Sequence, residues 1–248
     1  MDSVANFETT TLDAAMKQAL ITGGARGIGF GIAEAMLAAG YAVTVTGLSA
    51  DEVAAVPGRE HLKAVRLDVT KDADVSACVG ALDRLDALVN CAGIILRDGK
   101  EFTIEGFQQV LDVNLTGTMR MCMVARPLLE KQGGAIVNTA SVWSFFGGGL
   151  VPAYTASKGG VAQLTKALAV AWAPNIRVNA IAPGWIETDL TKPAQEDPAR
   201  SDAIVARTPF ARWGKPDDIG GAVVFLCSEN AGFITGTVLP VDGGYSVK

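Results

Sequence analysis

The amino-acid sequence predicts an α/β fold built on a single doubly wound parallel sheet with helices on both faces. Three observations predict it. Short β-rich runs alternate with helical patterns along the chain, as in parallel strands joined by helical crossovers. The 248 residues are 49% hydrophobic and only 19% charged, which suits a sheet covered on both sides. A glycine-rich turn, Gly23-Gly24-Ala25-Arg26-Gly27-Ile28-Gly29, stands between the first strand pattern and the first helical one.

The elements follow in order. Lys17–Thr22 reads as a strand, Gly27–Ala39 as a helix and Ala42–Thr46 as a strand. Leu62–Leu67 is a strand, Asp72–Leu82 a helix and Asp86–Val89 a short strand. Phe102–Gln132 carries one long helical pattern, and Ala135–Thr139 is a buried strand. Pro152–Trp172 is helical, Ile176–Ile181 a strand, Pro216–Cys227 a helix and Val238–Val241 a last strand. Right-handed crossovers turn this series into a Rossmann-like sheet. The segment from about 187 to 214 is irregular and holds Pro193, Pro198 and Pro209. Such a stretch inside a compact domain predicts a lid or a short helical insertion. Residues 17–248 are thus expected to form one domain. Residues 1–16 are expected to be a tail, disordered or draped on a neighbour.

The formal net charge is −5 and no basic run occurs, so nucleic-acid binding has little electrostatic support. No apolar run reaches the roughly 18 residues a membrane span needs. Met1–Thr11 lacks the charged and apolar regions of a secretory signal, so a cytoplasmic location is expected. Cys78, Cys91, Cys122 and Cys227 show no C-x-x-C spacing, and His61 is the only histidine. Buried thiols in a reducing compartment are expected, with no metal site and no Ser-His-Asp chemistry.

The glycine turn has the pattern T-G-x-x-x-G-x-G, from Thr22 through Gly23 and Gly27 to Gly29. Glycines there permit the tight turn and let the backbone approach a pyrophosphate at a helix N-terminus. A dinucleotide site usually has an acidic residue about 20 positions on, at the end of the second strand, for the ribose 2′-hydroxyl. Here that strand ends Thr46-Gly47-Leu48-Ser49, and Asp51 and Glu52 fall late enough to open the next helix. The missing acid, with Arg26 placed to face a 2′-phosphate, favours NADP over NAD. Leu48, where a second cation would be expected, argues the other way.

Tyr154 and Lys158 stand four residues apart at the start of a helical pattern and so share a face. A free phenol titrates near pH 10 and is a poor base at neutral pH. A neighbouring ammonium lowers that value, and a tuned phenol can exchange a proton with a hydroxyl or carbonyl. The pair alone is a weak signal. Ser141 gives it context, because it follows a strand and so reaches the carboxyl edge of the sheet, where open α/β sheets bind ligands. A hydroxyl without a histidine partner can donate a hydrogen bond to a carbonyl oxygen. Ala182-Pro183-Gly184 and Asn90-Cys91-Ala92-Gly93 follow two further strands at that edge.

With these motifs in order, the chain from about Lys17 to Tyr245 resembles the classical short-chain dehydrogenase/reductase (SDR) family. It is similar to 3-oxoacyl-carrier-protein reductases and to the polyol, gluconate and sugar dehydrogenases of that family. The resemblance rests on the glycine turn, Asp68-Val69, Asn90-Cys91-Ala92-Gly93, Asn114, Ser141, Tyr154-x-x-x-Lys158, Pro183-Gly184 with Thr188, and Asp242-Gly243-Gly244. It implies Tyr154 as general acid/base and Ser141 as the group that orients the substrate oxygen. It implies that Lys158 binds the nicotinamide ribose and lowers the Tyr154 pKa, and that Asn114 holds a water of a proton relay. Cofactor contacts are implied for Gly23, Arg26, Gly27, Ile28, Gly29, Leu48, Asp68, Val69, Asn90, Ala92, Gly93, Tyr154, Lys158, Pro183, Gly184, Ile186 and Thr188.

Two departures stand out. Cys91 replaces the usual Asn, and the helix before the Asp86 strand is trimmed. The substrate pocket is expected around Ser141, Trp143, Tyr154 and Trp185. The tryptophans would stack on a sugar ring, cover an apolar ketone, or simply shield the nicotinamide. The reaction implied is hydride transfer between NADP or NAD and a secondary alcohol or ketone of a sugar, polyol, hydroxy acid or 3-oxoacyl compound. A non-catalytic NAD(P)-binding regulator, or an SDR-fold lyase or epimerase, is the alternative. The family also implies a homotetramer.

Overall fold

The computed structural model describes residues 16–248; the expected tail, but for residue 16, lies outside the described residues. In chain order it runs β1 (Gln18–Thr22), α1 (Gly27–Ala38), β2 (Ala42–Gly47), α2 (Ala50–Ala54), β3 (Leu62–Arg66), α3 (Asp72–Gly80) and β4 (Ala87–Asn90). It continues with α4 (Ile104–Leu111), α5 (Gly117–Gln132), β5 (Ala135–Thr139), α6 (Pro152–Trp172), β6 (Arg177–Pro183), α7 (Lys192–Gln195), α8 (Pro198–Arg207), α9 (Asp217–Cys227) and β7 (Val238–Val241).

The strands form one seven-stranded sheet in the order β3-β2-β1-β4-β5-β6-β7, and every pairing is parallel. The strand order reverses between β1 and β4, so a crevice opens above their carboxyl ends. The strands bury both faces because successive side chains alternate. Ala19 and Ile21, Ala87 and Val89, and Ala135 and Val137 pack with Ile32 and Met36 of α1 and Ile219 and Val223 of α9. Leu20, Leu88 and Ile136 point the other way, onto Val75, Met121, Leu129, Leu168 and Trp172. Helices thus cover both sides, as the apolar and weakly charged composition predicts.

The sequence pattern and the structure differ in one instructive place. The helical run expected over Phe102–Gln132 is broken. Lys100–Phe102 is a 3-10 turn, and a π-helical turn at Asp112–Thr116 separates α4 from α5. The wide turn carries buried Asn114, whose side chain reaches back to both backbone groups of Ile94, at 2.8 and 3.0 Å. Such turns concentrate at functional sites. Helix α3 ends at Gly80 and is short, as its sequence indicates.

The irregular segment after β6 contains α7 and α8. Its neck is closed by a parallel bridge between Ile186 and Gly214, with hydrogen bonds from Gly214 N–H to Trp185 and from Glu187 N–H to Gly214, each 2.9 Å. Asp197 caps α8 through its side chain, and Pro198 opens that helix. The segment is a helical insertion clamped at its base.

Candidate active site

Two cavities meet above the carboxyl edge of the sheet. One, of about 690 Å³, runs along the glycine turn and reaches Leu48, Asp68, Val69, Ala92 and Gly93. The other, of about 600 Å³, lies between the Ser141 turn and the helical insertion. Tyr154, Thr139, Ile28 and Thr188 line both, so the two spaces are continuous at the phenol.

The first cavity is shaped by backbone approach. Gly23 has φ +62°, and a Cβ there would lie 2.8 Å from the Ala92 Cα. The Thr22 hydroxyl accepts from the N–H groups of Cys91 and Ala92, at 3.1 and 3.2 Å, which ties the ends of β1 and β4 together. The helix that follows, α1, has no acidic residue in its first turn and no side-chain cap, so its N–H groups stay available to an anion. Asp68 accepts from Thr70, which draws its carboxyl below its usual value despite burial. Thr139 Oγ1 is buried without a hydrogen-bond partner. A glycine floor with no room for side chains, free helix N–H groups and an orphaned hydroxyl fit a dinucleotide.

At the ribose end the structure adds a residue that the sequence pattern places too late. Ser49 caps α2 by accepting from Glu52 N–H at 3.1 Å. The Glu52 carboxylate then folds back to the strand tip, accepting from Leu48 N–H at 2.7 Å and from Arg26 Nε at 3.1 Å. Arg26 also donates to Asp189 at 3.3 Å. The tip of β2 therefore does carry a carboxylate, and Arg26 is shared between two acids.

Tyr154 and Lys158 lie on the first turns of α6, both buried, with the Lys158 Nζ 5.5 Å from the centre of the phenol ring. The ammonium donates to the Thr139 carbonyl at 2.6 Å. Burial pushes the Tyr154 phenol up to about 12, against a lowering contact with the Ser141 hydroxyl. Burial likewise pushes Lys158 down to about 8. The expected lowering of the phenol by Lys158 is therefore not the dominant effect: burial shifts both groups toward their neutral forms, and at about 8 Lys158 still carries its charge near neutral pH.

Ser141 stays extended at the end of β5 and caps a 3-10 turn over Val142–Ser144. The Ser144 hydroxyl accepts from Ser141 N–H at 3.2 Å and donates to the Lys158 carbonyl at 2.7 Å. That hydroxyl fixes the Ser141 turn against α6. Asn114 Nδ2 also donates to Ser157 at 3.0 Å, so the π-helical turn is tied to α6 and to the loop after β4.

The structure brings most of the expected residues together and relocates a few. Gly23, Arg26, Gly27, Ile28, Gly29, Leu48, Asp68, Val69, Ala92, Gly93 and Thr188 line the first cavity. Asn90 does not: its amide donates to Asn138 at 2.9 Å and contacts Cys122, beneath the floor. It sits at the end of β4 with its side chain on the α5 side of the sheet. Pro183, Gly184 and Ile186 line the second cavity with Ser141, Trp143 and Trp185. Trp185 meets Trp143 and Trp213 edge-on, at 6.1 and 5.7 Å, so the tryptophans form a wall.

Glu101, Ser144 and Glu52 are the residues the sequence pattern misses. Glu101 stands in the charged run Arg97-Asp98-Gly99-Lys100-Glu101, which has the composition of a solvated loop. It is only 1% exposed and accepts from Leu96 and Tyr154 N–H, at 3.0 and 2.9 Å. Among the described residues no cluster of metal-ligating side chains occurs, and no helix is long and apolar enough to cross a membrane.

Known proteins resemble this chain in sequence and fold. A family model described as Enoyl-(Acyl carrier protein) reductase matches residues 23–246. The 2-dehydro-3-deoxy-D-gluconate 5-dehydrogenase of Bacillus subtilis (strain 168) is 43% identical, over 92% of this chain and 94% of its own. The D-threitol dehydrogenase of Mycolicibacterium smegmatis is 38% identical, over 94% of each chain. The crystal structure of a gluconate 5-dehydrogenase from Burkholderia cenocepacia J2315, in complex with NADP and tartrate, matches with a TM-score of 0.88. It is 33% identical over 94% of this chain and 96% of its own. The fold, the ordered motifs and these likenesses agree, and the chain belongs to the short-chain dehydrogenase/reductase family.

Proposed function

We propose that this protein is an NAD(P)-dependent oxidoreductase acting on a secondary alcohol or ketone carbon of a sugar acid or polyol. The observation that carries it is the position of Tyr154, at the junction of the glycine-floored cavity and the tryptophan-walled one. The relatives named above act on gluconate derivatives and threitol, which supports the substrate class.

Gly23, Gly27, Gly29, Asp68, Val69, Ala92 and Thr188 would hold the dinucleotide, and Lys158 its nicotinamide end. When bound, the cofactor supplies a hydride acceptor for alcohol oxidation or a hydride donor for ketone reduction. The chain handles the proton. In oxidation Tyr154, as the phenolate, would take the proton of the substrate hydroxyl at Oη while the carbinol carbon gives up hydride; in reduction the neutral phenol would give that proton to the new alkoxide. Ser141 donates a hydrogen bond to the same oxygen and orients it. Lys158 holds positive charge beside the phenol, which favours the phenolate during transfer. Asn114 keeps the loop after β4 and the α6 helix in register. The tryptophan wall keeps water from the reacting carbon.

We also propose a cytoplasmic homotetramer. The four cysteines, none in a disulfide, suit a reducing compartment. Met123 and Val170, on α5 and α6, Phe225 on α9 and Phe233 in the loop before β7 are exposed apolar side chains suited to subunit contacts. Light scattering at micromolar concentration checks this, and a monomer there would rule it out.

The functional test is nicotinamide absorbance with NAD or NADP and a panel of sugar acids, polyols and their ketones. Turnover with net cofactor reduction or oxidation is expected. Cofactor binding without net redox change across the panel would favour a lyase, an epimerase or a regulator.

A further inference from the structure

The second cavity is walled mainly by apolar groups, including Trp143, Trp185 and Leu150, yet two arginines also line it. Arg97 comes from the loop after β4, and Arg200 from α8 in the helical insertion. One guanidinium nitrogen of Arg97 donates to the Leu190 carbonyl, which leaves its other N–H groups free. The Arg200 guanidinium lies 5.7 Å from the centre of the Trp185 ring. Among the described residues that guanidinium donates no hydrogen bond, so its N–H groups stay able to bind a carboxylate in two-pronged fashion.

Neither guanidinium has an acidic partner among the described residues. That is unlike other arginines near the site. Arg26 is held by Glu52 and Asp189, and Arg212 by Asp218. One carboxylate, the exposed Asp98, also lines the cavity, so the walls keep an excess of positive charge in a chain of net charge −5. A weakly charged, tryptophan-lined cavity strengthens the attraction between such a cation and an anionic ligand.

We propose that Arg97 and Arg200 form a carboxylate subsite, which makes sugar acids the preferred substrates over neutral polyols. The subsite rests on the oxidoreductase function proposed above and narrows it. The hydroxyl or ketone to be oxidised or reduced lies at Tyr154 and Ser141. The carboxylate end of the same molecule is held by the guanidinium groups of the insertion and the β4 loop. One arginine belongs to the loop after β4 and the other to the insertion, so a carboxylate held by both links the two segments.

The test compares kcat/KM for gluconate and 2-dehydro-3-deoxygluconate with that for threitol and sorbitol. It uses the native chain, Arg200→Gln, Arg200→Lys and Arg97→Gln, with melting temperatures checking that each variant folds. The native enzyme is expected to prefer the better acid over the better polyol by at least about tenfold, the scale of one charged hydrogen bond. Arg200→Gln should reduce that preference by about tenfold, through KM more than kcat, and Arg200→Lys should reduce it less. Tryptophan fluorescence titrated with gluconate gives a readout independent of turnover. Its Kd should rise about tenfold in Arg200→Gln and rise with added salt in the native chain. An acid-to-polyol ratio unchanged in both Arg200→Gln and Arg97→Gln would overturn the subsite. So would a native enzyme that turns over polyols as well as acids, which would leave the oxidoreductase function standing. Failure of every compound with both cofactors would instead defeat the oxidoreductase function.

Discussion

The backbone N–H of Tyr154 donates to Glu101 Oε2 at 2.9 Å, so a buried carboxylate anchors the candidate proton-transfer residue by its main chain. The second oxygen of Glu101 accepts from Leu96 N–H at 3.0 Å and ties the β4 loop to the same point. Tyr154 sits in the first turn of α6, where N–H groups lack helical partners. Glu101→Ala leaves two buried N–H groups unpaired. A loss of about 1–3 kcal/mol per group in unfolding free energy is expected, read from denaturant melts. The Glu101 charge also raises the Tyr154 phenol. Glu101→Gln should therefore let that phenol titrate at lower pH, visible in an ultraviolet tyrosine titration. An unmoved titration with unchanged kcat would show that Glu101 is only a helix cap.

Arg26 and Glu52 set up a second prediction. The Arg26 guanidinium is shared by Glu52 and Asp189, so a 2′-phosphate must compete with both for it. Glu52→Gln should tighten NADP binding relative to NAD, and Arg26→Ala should weaken NADP binding selectively. Cofactor Kd values measured by fluorescence decide it. Parallel changes for both cofactors would place the discrimination elsewhere.

The turn at Gly23 supplies a third. Its φ of +62° and the 2.8 Å approach to the Ala92 Cα leave no place for a methyl group. Gly23→Ala is expected to cost about 1–3 kcal/mol in stability from backbone strain and to abolish measurable cofactor binding. Native-like cofactor affinity in that variant would contradict the cradle geometry.

Buried groups predict the alkaline behaviour. Burial raises Tyr41, Tyr154, Cys122 and Cys227, each to about 12, from ordinary values of 10.0 for tyrosine and 9.0 for cysteine. Where the folded pKa is the higher one, the folded state binds more protons. Stability is then fully present below the ordinary value and is lost as pH rises toward 12. Lys158 has the opposite sign, lowered from 10.5 to about 8, so between those values rising pH favours the folded state. The melting temperature should rise slightly between pH 8 and 9, where Lys158 acts before the thiols titrate, fall slowly from 9.0 to 10.5, where Lys158 still opposes them, and fall steeply from there toward pH 12. Cys227→Ala should flatten the fall. An unchanged slope in that variant would contradict the assignment.

Much of this was legible in the sequence for a definite reason. Parallel strands write their apolar runs plainly, and the glycine turn must sit between β1 and α1 to work. Tyr154, Lys158, Ser141 and the glycines are therefore legible as candidates from order and spacing, and the structure brings them to one sheet edge. What was hidden depends on long-range contacts. Nothing local marks Glu101 as buried, because its partner N–H groups belong to α6 and the β4 loop. Glu52 looks like an ordinary first-turn acid until its side chain folds back on Leu48. The π-helical turn at Asp112–Thr116 is driven by Asn114 reaching Ile94, and helical periodicity cannot show that. Asn90 reads as floor because of its motif, while its side chain satisfies Asn138 below.

The most direct test of the central claim is Tyr154→Phe, assayed for turnover with the best panel substrate and for cofactor Kd. Loss of the phenol oxygen is expected to lower kcat by about 10²- to 10⁴-fold, the usual worth of a positioned acid/base. Cofactor Kd should stay within about threefold, because the ring and Lys158 remain. A variant that kept most of its turnover would contradict the assignment of Tyr154 as the proton-transfer residue.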